Sequence, residues 1–488
     1  MLDELKHPRP GRGERRLDAV VGVDLGTTNT KVVVLDLDGG QVGYAHRPTT
    51  WEHRSGGYAQ STAQAFLADL LATVGDALAG VEARGGVPVR VLGIGLAGLG
   101  ESGVVLDASG TELTPVIAWF DPRGARELRG LPADFAGDFA RHTGLALGTQ
   151  CTLAKLLWMR GAGIALPAGG RWLNVPEYLA HALGGERVTE PSLASRTGLL
   201  EQRTGRTWSA ALDLLALGED FLPELVDAGR VIGRVSLSGV PDGLSGAVIT
   251  VAGHDHPVAS VGAGATGPET LFNSCGTADV LLRAVSRPLT DDERATLVAR
   301  QFSAGRHVLP GRSALLGSVR GGLVLRRILS LLGADDPAGR ERLDRAWDGG
   351  VLTGAPITVS GGRIDADGIT ISLSDGATPD ALWAAAITHV ATETQRLLSA
   401  IDTVAGPHSG ALAAGGWTRM RSVREAKSRL MPGLGFSRVG QPGALGAATF
   451  AGWAAAGNPA TFLEYAAPLL PADPAHDVPD VEAREYSK

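Results

Sequence analysis

Two β-branched apolar runs, "AVVGVDL" (19–25) and "KVVVLDL" (31–37), flank a polar cluster of Gly26, Thr27, Thr28, Asn29 and Thr30. This pattern predicts strand, turn, strand. "QVGYAHRPT" (41–49) predicts a third strand. "TAQAFLADLLATVGDAL" (62–78) has its apolar residues at helical spacing. "VRVLGIGLAG" (89–98) reads as a buried strand ending in glycines, and "VVLDASGTEL" (104–113) as a strand and a turn. "TLAKLLWMRG" (152–161) and "WLNVPEYLAHALGG" (172–185) read as helices, the second stopping at Gly-Gly.

The pattern restarts near residue 248. "AVITVAGHDHPVASVGAGA" (247–265) is a strand, a polar turn and a helix of small residues. "ETLFNSCGTADVLLRAV" (269–285) repeats the opening form of apolar run, short Gly/Thr cluster and apolar run. A long amphipathic helix (379–401), a strand, glycine turn and helix (409–431) and a small-residue helix (443–457) follow. The pattern predicts two α/β domains, 20–247 and 248–470, between a flexible tail at 1–19 and a second tail at 471–488.

The length of 488 residues fits more than one hydrophobic core. A net charge of -7 argues against a nucleic-acid or anionic-membrane surface, because no basic excess exists to neutralise phosphates. Cys151 and Cys275 are too few and too far apart for a disulfide framework, which fits a reducing cytoplasm. The charged N-terminus lacks the apolar centre of a signal peptide, and no uninterrupted apolar stretch approaches a membrane span. Abundant Gly and Ala read as compositional bias.

A phosphate needs several donors converging on one point. Backbone N–H groups in a tight turn supply them, and glycine lets the backbone come close. The turn "DLGTTNTK" offers Gly26, Thr27 and Thr28, with Lys31 behind them. Asp24, at the end of a buried strand, is placed to organise Mg2+ through water. No P-loop motif occurs. Taken alone, the cluster is better read as a hairpin whose polar residues satisfy their own backbone. A second hydroxyl-rich turn, "NSCGTAD" (273–279), and the glycine turn "AAGGWTR" (413–419) change that reading. Two phosphate turns and an adenosine turn describe an actin-like ATPase.

In this order the chain resembles the FGGY family of carbohydrate kinases. The resemblance rests on "GVDLGTTNTKVVVLD", "GIGLAGLGESGVVLD", "PVIAWFDPRGARE", "TGLALGTQCTLAKLLWMR", "YLAHALGGERVTEPSLASRTGLL", "LPELVDAGRVIGRV", "VAGHDHPVASVGAG", "NSCGTADVLL", "AAGGWTR" and "GALGAATFAG". It implies two actin-like (ribonuclease H-like) ATPase domains, each a mixed five-stranded sheet flanked by helices, with a catalytic cleft between them. ATP, Mg2+ and a small sugar or polyol are the implied ligands, and a homodimer is one assembly the family suggests.

By the same resemblance, Asp24 serves the metal and the phosphates. Gly26, Thr27, Thr28 and Lys31 fall on phosphate-contacting positions. Gly276 and Thr277 match the second phosphate turn, Gly416 the adenosine turn, and Gly322 lies near another nucleotide-contacting position. Asp255 falls where the family carries its general base. Its local alternative is an N-cap for the helix entered at Pro257. Glu101 matches a substrate-binding position. Trp119 and Asp121 match an aromatic wall and a polar sugar contact, and Gln150 is a fourth acceptor candidate. His256 flanks the base as a substrate contact. His254 and His256, with no third ligand in sight, suggest a metal site only faintly. Lys155 and Trp158 read as structural. "GESG" departs from the commoner family sequences, so the acceptor stays open among a pentulose, a ketohexose and a linear polyol. The rivals are an actin-like ATPase and a catalytically silent sugar-binding regulator on the same scaffold.

Overall fold

A computed structural model describes residues 16–347, 349, 357–361 and 368–470. The expected tail at 471–488 and residues 1–15 lie outside them. The first strand already begins at Leu17, inside the expected N-terminal tail.

β1 (Leu17–Leu25), β2 (Asn29–Asp36) and β3 (Gln41–Pro48) form an antiparallel meander. Their apolar runs are continuous because both faces are covered. Val21, Val23, Leu25, Val32 and Val34 pack with Phe66, Leu70, Val74 and Leu78 of α1 (Ala63–Gly85). Val20, Val33 and Leu35 point the other way, onto Ala444, Ala448 and Ala451. By length and mean hydropathy α1 would pass as a membrane span. Here its apolar face is spent on the core, and Thr62 caps its start by accepting from the Ala65 N–H.

β4 (Val89–Gly98) runs parallel to β1, and β6 (Val248–His254) runs parallel to β4, with the two-residue β5 (Gly233–Arg234) at the edge. The order is β5-β6-β4-β1-β2-β3. Residues 99–232, inserted between β4 and β5, carry a core of their own around Phe139, Leu153, Trp172, Leu199 and Trp208. Within them, the helix expected from Trp172 begins only at Val175. Residues Arg171–Asn174 are a strand, and Asn174 and Glu177 form a capping box.

α2 (Asp255–Gly262) leads to the second sheet: β7 (Thr270–Cys275), β8 (Asp279–Val285), then α3 (Asp291–Ala299), β9 (Phe302–Arg306) and β10 (Ser313–Val319). α4 (Gly321–Leu331), α5 (Pro379–Ala405), β11 (Gly410–Ala414), α6 (Arg421–Leu430) and β12 (Leu434–Phe436) complete it. The order is β9-β10-β8-β7-β11-β12. Each sheet thus joins three antiparallel strands to two parallel ones, which explains the echo between the two halves. Each has six strands rather than the expected five, because β5 and β9 extend the edges.

The expected boundary at 247 needs correction. β6 pairs along β4, so the first sheet takes in residues to 254. The chain also returns: α7 (Pro442–Ala455) lies on the first sheet, not the second. A Cβ on Gly22 would overlap the Ala444 carbonyl, and one on Gly95 the Ala447 carbonyl. The small residues of α7 and the glycines of β1 and β4 are therefore a packing surface, not compositional bias alone.

Candidate active site

The first hairpin turn is held by its carbonyls. The Gly26 N–H donates to Asn29 O (3.0 Å), Thr49 Oγ1 to Gly26 O (2.7 Å), and the Thr49 N–H to Thr28 O (2.9 Å). Trp51 Nε1 donates to Thr27 O (2.8 Å) and Trp119 Nε1 to Thr27 Oγ1 (2.9 Å). The Thr27 and Thr28 N–H groups donate to no acceptor among the described residues. The Thr27 hydroxyl accepts from an indole, so its proton is left to donate. This is a set of donors facing outward, as a phosphate requires.

The second hairpin turn repeats the arrangement. The Gly276 N–H donates to Ala278 O (3.0 Å) and the Leu323 N–H to Thr277 O (2.9 Å). The Thr277 and Ala278 N–H groups are again without an acceptor among the described residues. A Cβ on Gly322 would overlap Gly276 O, so α4 butts directly against this turn. Gly415, at φ 121°, backs onto Cys275 with no room for a side chain, while Gly416 borders open space. Beneath the turn, buried Lys427 reaches Asn273 Oδ1 (2.8 Å) and Asp279 Oδ2 (2.5 Å).

Asp24 and Asp255 end two strands of the first sheet. A bulge between Val251 and Gly253 turns the end of β6, and Asp255 then opens α2. Burial raises the Asp24 carboxyl above its usual range; Lys31, with Nζ 3.5 Å away, opposes this and Asp255 adds to it. Burial would also raise Asp255. His256, His254, the His256 N–H (2.6 Å) and Arg196 outweigh it and hold Asp255 below the usual range. His254 Nε2 lies 3.2 Å from Asp255 Oδ1. Burial pushes that imidazole down to about 3, so at neutral pH it meets Asp255 as a dipole, not a charge. The first turn of α7 also touches Asp24: a Cβ on Gly443 would come 2.7 Å from Oδ2. Two helix N-termini therefore favour negative charge here. No cluster of three His, Cys, Asp or Glu able to hold a metal occurs among the described residues.

A cavity of about 360 Å³ opens between the two lobes. Glu101, Trp119, Gln150 and His256 line it from the first lobe, and Val280, Phe302 and Leu316 from the second. Four of the expected acceptor residues thus share one cavity, next to Asp255. Glu101 sits at φ 62°, in a three-residue turn closed by the Ser102 N–H on Gly100 O (2.6 Å). Such backbone is costly for a non-glycine residue and is found where a side chain must be aimed.

Asp121 is not in the cavity. It is fully buried, accepts from the Ala59 N–H (2.7 Å), and is gripped by Arg123 through Nε (2.9 Å) and Nη2 (2.7 Å). Its oxygens hold the fold and have none left for a sugar. Lys155 Nζ reaches the carbonyls of Asp121 and Thr149, and Arg123 lies 4.9 Å over the Trp158 ring, so both are structural as expected.

Arg196 was not legible as a site residue. Its Nε and Nη2 each lie 2.7 Å from Glu101 Oε1, and its Nη1 donates to Ser303 Oγ of the second lobe (2.7 Å). The available signal was a lone cation in the small-residue stretch "SLASRTGLL", where a buried charge needs a partner. Gly100 makes room for it, since a Cβ there would press on the Arg196 side chain.

Known proteins match this architecture. Residues 19–262 match the N-terminal domain of the FGGY family of carbohydrate kinases. A glycerol kinase of Alkalilimnicola ehrlichii is 29% identical over 423 residues, 80% of each chain. A rhamnulokinase of Enterococcus faecalis is 27% identical over 267 residues, 54% of this chain and 52% of its own. The crystal structure of a xyloylose (xylulose) kinase from Brucella ovis superposes with a TM-score of 0.79 at 25% identity, covering 94% of both chains. The match covers the turn, the strand ends and the cavity walls of the first lobe: the chain belongs to the FGGY family of carbohydrate kinases, phosphotransferases with an alcohol group as acceptor.

Proposed function

We propose that this chain transfers the γ-phosphoryl group of ATP to a hydroxyl of a small neutral sugar (pentulose or ketohexose) or polyol, with Asp255 as general base. The observation that carries the reading is positional: His254 pairs with Gly98 and Gly98 with Leu25, so Asp255 leaves the sheet level with Asp24 and the phosphate turn, while the adjoining His256 lines the cavity with Glu101. A base between donor and acceptor is what the reaction needs. The acceptor hydroxyl oxygen attacks the γ-phosphorus as its proton passes to Asp255. The bond from γ-phosphorus to the bridging oxygen breaks, and ADP leaves with that electron pair.

The ionised state of Asp255 suits this role at neutral pH. Thr27, Thr28 and Thr277 present donors to the phosphates, with Gly26, Gly276, Gly322 and Gly416 allowing close approach, and Lys31 adds positive charge. A single carboxylate fits an Mg2+ that takes its other ligands from phosphate and water. Asp24 would hold it, and bound there it would neutralise charge developing on the phosphates. Neutrality of the acceptor follows from Arg196, the cation in the cavity wall, being spent on Glu101. An ATPase that activates water would need no such cavity, and a silent regulator would need no base.

The test is an ADP-release screen over pentuloses, ketohexoses, aldoses, C3–C6 polyols and aldonic acids. Turnover with a neutral member and none with the acids is expected; preference for an acid refutes the neutral reading.

A pH effect follows from Glu101. Burial raises its carboxyl; Arg196 opposes this, Asp255 adds to it, His256 opposes it, and Cys151 and Lys155 also face it. In Arg196→Met the main opposing charge is gone, so the Glu101 carboxyl rises further and holds its proton to a higher pH than in the parent. We expect the acceptor KM at pH 7 to rise about tenfold or more, and to fall back as pH is raised and Glu101 ionises. A KM increase that is flat with pH would assign Arg196 to packing alone.

A further inference from the structure

The segment around residues 189–193 braces the end of β6 from the side. Ala252 is the extra residue of the bulge in β6, and Gly253 beyond it takes φ 116°, a conformation that favours glycine. A Cβ on Gly253 would come 2.8 Å from Ser192 Oγ and 2.9 Å from Glu190 Oε2. Ser192 Oγ accepts from the N–H of His254, the next residue (2.9 Å). The Ser192 hydroxyl donates to Glu190 Oε2, which also takes the N–H groups of Ser192 (2.8 Å) and Leu193 (3.1 Å). Glu190 is itself placed by Glu177, whose Oε1 accepts from the Glu190 N–H (2.9 Å) and from the Thr189 hydroxyl. Glu177, Glu190, Ser192 and His254 are all buried.

Buried carboxyls are unfavourable beside an apolar sheet, and apolar side chains would fill the same space more readily. What these groups supply is direction. With its proton committed to Glu190, the Ser192 hydroxyl keeps its lone pairs for the His254 N–H. We propose that Ser192 and Glu190 are positioning residues for the general base: Glu190 orients the Ser192 hydroxyl, and Ser192 holds the backbone from which Asp255 is aimed. This rests on the kinase reading of Asp255 and adds two residues to it. Asp255 follows His254 directly and opens α2, so a shift of the His254 nitrogen swings the carboxylate. Four residues after Ser192, Arg196 leaves the same segment to hold Glu101. One buried support thus sets both the base and the acceptor carboxylate.

The test is a double-mutant cycle on kcat, read by ADP release with the best-used sugar or polyol of the acceptor screen. In Ser192→Ala the His254 N–H loses its acceptor. We expect kcat to fall about tenfold to a hundredfold, the loss that a displacement of about 1 Å can cause, with the KM for ATP within about twofold of the parent. In the Asp255→Asn background the same change should cost less than about twofold, because no base is left to aim. Glu190→Gln keeps an oxygen for the Ser192 hydroxyl and should stay within about threefold of the parent, whereas Glu190→Met should match Ser192→Ala. If Ser192→Ala does not fold, Ser192→Cys takes its place in the cycle, its sulfur filling the site while accepting only weakly. A kcat within about twofold of the parent, or an equal fold-loss in both backgrounds, overturns the proposal and leaves Asp255 as the base. Turnover by Asp255→Asn alone within about tenfold of the parent removes the base, and the proposal with it.

Discussion

Asp255→Asn is expected to lower kcat about a thousandfold, within the range that positioned general bases contribute and equivalent to about 4 kcal/mol of barrier. The amide has nearly the shape of the carboxylate and can still accept from the His256 N–H through its oxygen, so α2 should keep its start. It cannot take a proton. Because the phosphate turns belong to other strands, nucleotide affinity should stay within a few fold. The measurements are ADP release at saturating acceptor and calorimetric titration with ATP. Turnover within tenfold of the parent would remove Asp255 from the mechanism. A parallel loss of nucleotide binding would point to Asp255 as an electrostatic neighbour of Asp24 rather than a base.

Gly262→Ala should be the more damaging change to the fold. Where α2 crosses α7, a Cβ on Gly262 would overlap the Pro442 carbonyl and come 2.6 Å from the Gly446 N–H nitrogen. Gly446 in turn lies against the Val258 carbonyl. These contacts are with backbone, which cannot rotate away, so one methyl must push the helices apart. Overpacking of this kind costs about 1–3 kcal/mol. The catalytic cost should be larger than the methyl suggests. α2 begins at Asp255, and α7 begins against Asp24, so separating the helices moves both carboxylates at once. A lower denaturation midpoint together with a fall in kcat is expected. Gly137→Ala, on a helix where a Cβ meets nothing within 4 Å, serves as the control and should be neutral or slightly stabilising. If Gly262→Ala behaves like Gly137→Ala, the crossing is not tight.

What the sequence revealed was local. Alternation and β-branching announced the hairpins, and the Gly/Thr clusters announced turns whose N–H groups face outward. The strand-end positions of Asp24 and Asp255 followed from the same patterns. What it hid depends on contacts between distant residues. Arg196 meets Glu101 across 95 positions, and Lys427 meets Asp279 across 148. No periodicity carries such pairings. The boundary at 247 failed for the same reason: parallel pairing of β6 with β4 joins residues more than 150 apart. Asp121 was misread although the clue was adjacent. Arg123 two residues on can fold back and consume the carboxylate, and burial makes that pairing obligatory.

The return of α7 bears on the order in which the molecule can be made. β1 and β4 leave a ribosome early, yet Gly22, Gly93 and Gly95 present a face that no neighbouring segment in sequence can cover. Their cover, residues 442–455, is synthesised after the whole second sheet. Until then the first sheet is a bare, glycine-lined surface, exposed to chance association with other chains. α7 is thus the closing piece of the first lobe, and the two lobes mature together rather than in succession.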